Sequence, residues 1–182
     1  NFPYLLVVGQ ISPRKNIEVV LNAFNKIKNK YPSVKICMVG GNGWDYKNIY
    51  KLINKLDIEH RVINFGYVSD QDLRLLYKKA RVFVFPSLFE GFGLPVLEAM
   101  ACKCPVICSD IPPLREISNG NAFYFNPNSL DDLVDKIEHI INENFDKKSF
   151  IEKAYKNSRT FNWDKVAVKT AKLYGEFLWE LQ

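Results

Sequence analysis

Short apolar runs alternate with amphipathic segments along most of the chain. The first run, residues 4–8, contains no polar position, which is typical of a strand that is covered on both faces. Gly9 ends this run. Similar runs predict further strands at 34–39, 62–65, 82–85, 106–108 and 122–125.

Apolar residues spaced three and four apart predict helices between and after these strands. The first helix, over 17–30, has Asn16 at the position of an N-cap. The others are predicted at 46–56, from Asp70 onward, and at 94–101, 112–117, 130–142, 148–159 and 163–181. Strands that alternate with helices over short connections predict an α/β fold, a doubly wound, parallel, Rossmann-like sheet of about six strands with helices on both faces.

The chain divides into two predicted parts, a Rossmann-like domain over 1–160 and a C-terminal helix over 161–182. This helix carries more apolar residues than a simple tail needs, namely Val166, Leu173, Phe177, Leu178 and Trp179. It either folds back onto the domain or covers a surface elsewhere. The second alternative fits a chain that enters its first strand without an initiator Met, as at a domain boundary.

The composition is that of a globular protein, with 47% hydrophobic and 25% charged residues among 182. The net charge of +5 comes largely from lysines spread over helices, which indicates solvated faces; attraction to phosphate-bearing ligands or to an anionic membrane surface is the alternative. Nucleic acid is not an expected partner, because no motif for it is present. The four cysteines lack the partners of a zinc site and are predicted to be small buried side chains in a cytosolic protein.

The stretch 82–101 carries the most informative pattern. An apolar strand is followed by a Pro-Ser break, a glycine-bearing loop, and a helix with Pro95 in its first turn. Parallel sheets bind ligands in the crevice at the carboxyl ends of their strands. The free N–H groups of the helix start suit an anion, and the carboxylates of Glu90 and Glu98 suit hydroxyl groups.

The segment Glu90-Gly91-Phe92-Gly93-Leu94-Pro95, followed by Glu98, resembles the donor-site signature of glycosyltransferase family 4, a family of retaining enzymes with the GT-B fold. Other features follow in the family's usual order: Gly9 with Lys15 and Asn16, residues 65–68, 85–87 and 104–107, and residues 161–163. The resemblance covers essentially the whole chain. It corresponds to the carboxyl-terminal, donor-binding half of such an enzyme, without the amino-terminal acceptor domain.

The resemblance implies a role for several side chains. Glu98, expected in the first turn of its helix, would accept the ribose hydroxyls; Glu90 would contact the donor sugar or stabilise charge at its anomeric carbon. Lys15 would neutralise the diphosphate. Gln10 stands where many relatives have arginine, so either Arg14 adds the second positive charge or donor affinity and leaving-group assistance are weaker. The simpler alternatives are a helix-dipole carboxylate for Glu98 and a water-facing loop carboxylate for Glu90.

The remaining donor contacts implied by the resemblance lie on backbone and apolar positions. The donor sugar and diphosphate would meet the backbone of the loop and the helix start, and the base would lie against the segment after the third strand, where a core pair is the alternative. These positions are Gly9, Tyr67, Val68, Gly91, Phe92, Gly93, Leu94, Pro95 and Val96.

The activity implied by the resemblance is retaining transfer of a sugar from a nucleotide-diphosphate sugar to a hydroxyl, in polysaccharide or glycoconjugate synthesis. No metal and no cofactor besides the donor are implied. The expected partners are the donor and the absent amino-terminal domain, and without that domain the chain would be inactive. The enzyme would be cytoplasmic, with peripheral association with the inner face of a membrane left open.

Two alternatives from other classes remain. One is another GT-B enzyme, such as a nucleotide-sugar epimerase or a phosphorylase-like enzyme. The other is a non-catalytic α/β binding module of the flavodoxin-like kind, which would carry an acidic cluster after the first strand, where this chain has Gln10, Ser12 and Arg14.

Overall fold

A computed structural model describes residues 2–180, with side chains as far as residue 176. Six parallel strands form one sheet in the order β3-β2-β1-β4-β5-β6. The strands are β1 Tyr4–Val8, β2 Lys35–Val39, β3 Val62–Asn64, β4 Val82–Phe85, β5 Val106–Ser109 and β6 Phe123–Phe125. This is the Rossmann-type order and differs from the flavodoxin-like one. The predicted fold class is therefore confirmed, and the flavodoxin-like alternative is wrong.

Eight α-helices connect and flank the strands in the described part of the chain. They are α1 Ile17–Ile27, α2 Tyr46–Lys55, α3 Asp70–Lys79, α4 Leu94–Ala101, α5 Pro112–Ser118, α6 Leu130–Ile141, α7 Lys147–Ser158 and α8 Trp163–Glu180. Two short 3₁₀ turns, Pro13–Lys15 and Glu59–Arg61, precede α1 and β3. The predicted elements are all present, although α1 ends before the predicted residue 30. None of the described helices is both long and apolar enough to cross a membrane.

The core consists of two layers, one on each face of the sheet. Helices α1, α2 and α6 supply the first layer, and α3, α4, α5 and α7 supply the second. Alternate residues of β1 contribute to both, because Leu5 and Val7 face the first layer while Tyr4 and Leu6 face the second. The absence of polar alternation in β1 therefore follows from burial on both faces.

The four cysteines are free thiols in this core or at its margin. Cys37, Cys104 and Cys108 are buried, as predicted, whereas Cys102 at the end of α4 is partly exposed. They serve as small apolar side chains in the second layer and its border.

Helix α8 leaves apolar side chains in solvent. Trp163, Val166, Val168, Leu173 and Tyr174 are all exposed by half or more. The predicted contribution of Phe177, Leu178 and Trp179 lies outside the described side chains, and the proposed boundary between 1–160 and 161–182 stays a prediction. Just before α8, the Phe161 ring meets the Phe92 ring edge-on, with centroids 6.0 Å apart.

Glycines close the carboxyl edge of the sheet. The backbone N–H of Gly9 donates to Val39 O at 2.8 Å, and that of Gly40 donates to Gly66 O at 2.7 Å. All three glycines have positive φ, at 137°, 134° and 63° for Gly9, Gly40 and Gly66. A Cβ on Gly40 would lie 2.3 Å from the carbonyl oxygen of Gly9. Only glycine allows the ends of β1 and β2 to approach this closely.

We expect Gly40→Ala to lower the free energy of unfolding by about 3 kcal/mol, because the methyl group meets backbone and the φ is unfavourable for alanine. Gly66→Ala is the matched control, since its φ is also positive but its Cβ meets open space. That control should lose about 1 kcal/mol. Urea denaturation measures both; equal losses would contradict the steric explanation.

Candidate functional site

Two segments meet at the carboxyl edge of the sheet, between β1 and β4. The first is the 3₁₀ turn Pro13–Lys15, and the second is the loop 86–93 that joins β4 to α4. The backbone N–H of Leu88 donates to Arg14 O at 2.9 Å and ties the loop to the turn. Side chains from these two segments form the candidate site, at the edge where parallel α/β sheets bind ligands.

Lys15 and Glu90 form the central contact of the site. The Nζ of Lys15 lies 2.6 Å from Oε1 of Glu90, and the two side chains are only 13% and 11% exposed. The same ammonium lies 4.6 Å from the centroid of the Phe85 ring, in a cation–π arrangement. The tail of Lys15 passes Gly9, where a Cβ would lie 3.3 Å from Cε of the lysine. Gly9 therefore leaves room for the lysine to reach the loop.

Arg14 adds a second cation to the same carboxylate. Its Nη1 donates to Phe89 O at 2.8 Å and lies 3.0 Å from Oε1 of Glu90. The guanidinium remains about half exposed, in contrast to the ammonium of Lys15. Two cations and one carboxylate leave an excess of one positive charge, so the cluster can accept an anion.

The pKa of Glu90 lies below its usual range. Burial alone would raise it, but the hydrogen bond from Lys15 and the charges of Lys15 and Arg14 outweigh that effect. The carboxylate is therefore ionised at neutral pH. The alternative of a water-facing loop carboxylate is wrong, because Glu90 is largely shielded from solvent and paired with two cations.

The start of α4 depends on Gly93 for a packing reason. Gly93 is buried with a φ of +100°, and a Cβ there would lie 2.5 Å from Cδ2 of Leu114 on α5. A side chain at this position would strain the backbone and displace the Leu114 side chain, so glycine suits the contact of α4 with α5. The neighbouring Gly91 is exposed, and a Cβ on it would meet nothing within 4 Å.

The other predicted loop and helix-start residues divide between surface and core. Phe92 and Leu94 are about half exposed, whereas the Val96 side chain is fully buried. The backbone N–H of Val96 donates to Gly93 O at 2.9 Å. Pro95 occupies the first turn of α4, as predicted. Donor contacts by these residues stay predictions.

Glu98 lies in the second turn of α4, not in the first turn as expected, because the helix begins at Leu94. The helix-dipole explanation of this carboxylate is therefore weak, since the dipole acts within the first turn. Glu98 is exposed, and its Oε2 accepts a hydrogen bond of 3.2 Å from the Tyr77 hydroxyl. The sequence pattern presents Tyr77 only as an apolar position of α3. A tyrosine at a core position of a helix predicts that its buried hydroxyl has a hydrogen-bond partner, and this pattern could have indicated the contact.

Tyr67 and Val68 follow β3 but differ in environment. Tyr67 is 83% exposed, and its ring lies over Gly41, where a Cβ would come within 2.4 Å of Cε2. Val68 is partly buried and packs against the second core layer. The alternative of a core pair therefore holds for Val68 and is wrong for Tyr67.

Asn16 does not cap α1 as predicted. It occupies the N-cap position with a φ of 50°, but its side chain makes no capping hydrogen bond. Its Nδ2 instead donates to Pro127 O at 3.3 Å and links the 13–15 turn to the loop before α6. The left-handed backbone of Asn16, which follows the 3₁₀ turn, explains this, because a residue that caps a helix with its side chain typically has extended backbone.

The comparisons with curated proteins agree on one family. Residues 1–157 match the family described as Glycosyl transferases group 1. The chain is 32% identical to O-antigen chain mannosyltransferase B of Escherichia coli over 94% of its length and 45% of that protein. It is 36% identical to O-antigen chain mannosyltransferase RfbU of Salmonella typhimurium over 68% of its length and 34% of that protein. The chain thus spans less than half of these relatives.

Solved structures show the same fold. Sucrose-phosphate synthase from Thermosynechococcus elongatus superposes with a TM-score of 0.86 at 27% identity, over 98% of this chain and 46% of that one. HepE of Anabaena, in complex with UDP and glucose, superposes with a TM-score of 0.86 at 22% identity, over 97% of this chain and 49% of that one. The family match covers the sheet, the 13–15 turn and the 86–93 loop together, and the chain therefore belongs to the group 1 glycosyl transferases.

Proposed function

We propose that this chain is the donor-binding half of a retaining, family 4 glycosyltransferase that transfers a hexose from a nucleotide-diphosphate sugar to a hydroxyl acceptor. The observation that carries the proposal is the contact of Lys15 and Arg14 with Glu90 at the carboxyl edge of the sheet. This contact brings two cations and one ionised carboxylate to the edge where α/β folds bind nucleotides.

Lys15 and Arg14 bind the diphosphate in this proposal. A charge-assisted hydrogen bond to a phosphate oxygen contributes about 1.5–3 kcal/mol, and the contribution grows as negative charge develops on the leaving group. The cations replace a metal ion in that role. Arg14 compensates for Gln10, because its Nη1 already reaches Oε1 of Glu90 from the 13–15 turn.

The two glutamates act on the hydroxyl-bearing parts of the donor. Glu90, beside the cations, contacts the sugar or stabilises positive charge at the anomeric carbon. Glu98 accepts the ribose hydroxyls, since its exposed carboxylate has two acceptor oxygens for a vicinal diol. The leaving phosphate assists deprotonation of the acceptor, so that no separate base is required. Tyr67 and Val68 border the base.

The relatives support the substrate class and the process. Two of them are named O-antigen chain mannosyltransferases, and the structure of HepE contains UDP and glucose. We propose by analogy that this chain acts in polysaccharide or glycoconjugate synthesis, in the cytoplasm or at the inner membrane face. The acceptor site belongs to an amino-terminal domain in this proposal, and the exposed apolar side chains of α8 pack toward that domain.

We expect residues 1–182 to bind a nucleotide sugar but not to transfer the sugar, because they correspond to 45% of the mannosyltransferase B relative and the acceptor site belongs to the remainder in this proposal. In a thermal-shift screen against UDP-, GDP- and ADP-sugars, the nucleotide sugars with one of the three bases should raise the melting temperature of the protein. Product analysis with simple hydroxyl acceptors should find no glycoside. A chain that responds to no nucleotide sugar would contradict the proposed function, and an epimerised free sugar would favour the epimerase alternative.

Lys15→Ala should weaken binding of the selected nucleotide sugar by about ten-fold to a hundred-fold, because a shielded charge–phosphate contact is lost. Lys26→Ala is the matched control, since Lys26 of α1 forms an exposed ion pair with Asp131 of α6. Calorimetry compares the two variants. Equal affinities for Lys15→Ala and the wild type would exclude the diphosphate role of Lys15.

Glu90 should stabilise the fold only while it is ionised. Its folded-state pKa is lowered, so this contribution is fully present above the ordinary glutamate pKa of about 4.3 and is lost as the pH falls through the folded-state value. The difference in unfolding free energy between the wild type and Glu90→Gln should therefore shrink between pH 6 and strongly acidic pH. Glu152→Gln, which removes an exposed pair with Lys103, is the control and should show little difference. A difference for Glu90→Gln that does not change with pH would contradict this account.

A further inference from the structure

Tyr77 points a buried hydroxyl at an exposed carboxylate. Its side chain is only 1% exposed, and its ring meets Phe83 of β4 edge-on, with centroids 5.2 Å apart. The hydroxyl lies 3.2 Å from Oε2 of Glu98. The ring fills the space between α3 and the sheet, and the hydroxyl reaches the second turn of α4.

The hydroxyl acts as the donor in this contact. Burial, and then the adjacent charge of Glu98, raise the pKa of Tyr77 far above its usual range, so it stays protonated. A carboxylate has two oxygens and about four acceptor positions. Tyr77 uses one position on Oε2, and no other group in the described part of the chain donates to this exposed carboxylate.

We propose that Tyr77 is a positioning residue that fixes the Glu98 carboxylate for a vicinal diol, and that this contact sets the preference for a ribose over a deoxygenated sugar. The inference rests on the proposed function, because Glu98 is the ribose-binding residue only there. An unanchored glutamate on a helix surface samples several rotamers. Binding of a diol to both carboxylate oxygens would then have to fix one rotamer, at a cost in conformational entropy. The buried tyrosine does this ordering before the ligand arrives.

Tyr4 of β1, the strand next to β4, provides a matched control. It is also buried in the second core layer, and its hydroxyl donates to Leu76 O at 2.7 Å. Tyr4→Phe therefore removes a buried hydroxyl from the same layer without touching Glu98. Both Tyr→Phe variants keep the ring and its packing. Their melting temperatures, compared with that of the wild type, identify an assay temperature at which all three proteins are folded.

The test measures calorimetric affinity for the nucleoside diphosphate that the screen selects and for its 2′,3′-dideoxy form. Tyr77→Phe should weaken binding of the ribonucleotide by about three-fold to ten-fold and leave the affinity for the dideoxy form unchanged. The reason is that one charge-assisted hydrogen bond orients the carboxylate that binds the diol. Tyr4→Phe should change neither affinity. In a Glu98→Ala background, Tyr77→Phe should have no further effect.

Two results would overturn the inference while leaving the proposed function intact. One is an equal loss for both nucleotides in Tyr77→Phe, and the other is an undiminished effect of Tyr77→Phe in the Glu98→Ala background. A wild-type chain that binds neither nucleotide would overturn the proposed function and this inference together.

Discussion

The bond between Lys15 and Glu90 is the interaction on which the site depends. It joins two segments 75 positions apart in the chain, one following β1 and the other following β4. These strands are neighbours at the centre of the sheet, so the two segments leave the sheet side by side. Because both sheet faces are covered by apolar layers, charged groups that meet the sheet lie at the ends of its strands rather than on its faces. The position of the chemistry thus follows from burial elsewhere.

Glycine makes this edge possible in two different ways. Gly9 leaves room for the tail of Lys15, and Gly40 allows β2 to end against the backbone of β1. Gly93 instead lets the start of α4 lie against Leu114 of α5. Gly9, Gly40 and Gly93 are therefore required for different physical reasons.

The fold could be predicted from the sequence because period and strand burial are local properties. The apolar run at 4–8 agrees with the structure. The resemblance named Lys15 and Glu90 separately, and only the structure shows that they form an ion pair. Side-chain orientation could not be predicted, since it depends on neighbours distant in the chain. For that reason the sequence did not predict that the Asn16 side chain donates to Pro127 O or that the Tyr77 hydroxyl donates to Glu98. It also did not predict that the Tyr67 side chain is exposed to solvent.

The shielding of the Lys15–Glu90 pair has a consequence for the ionic conditions in which the protein keeps this geometry. Dissolved salt screens charges through the surrounding water, and it acts weakly where water is excluded. The exposed pair of Lys26 and Asp131, at 47% and 80% exposure, will fade as salt is added. The pair between the turn and the loop will persist, so concentrated electrolyte removes the protein's outer ion pairs before it disturbs this one.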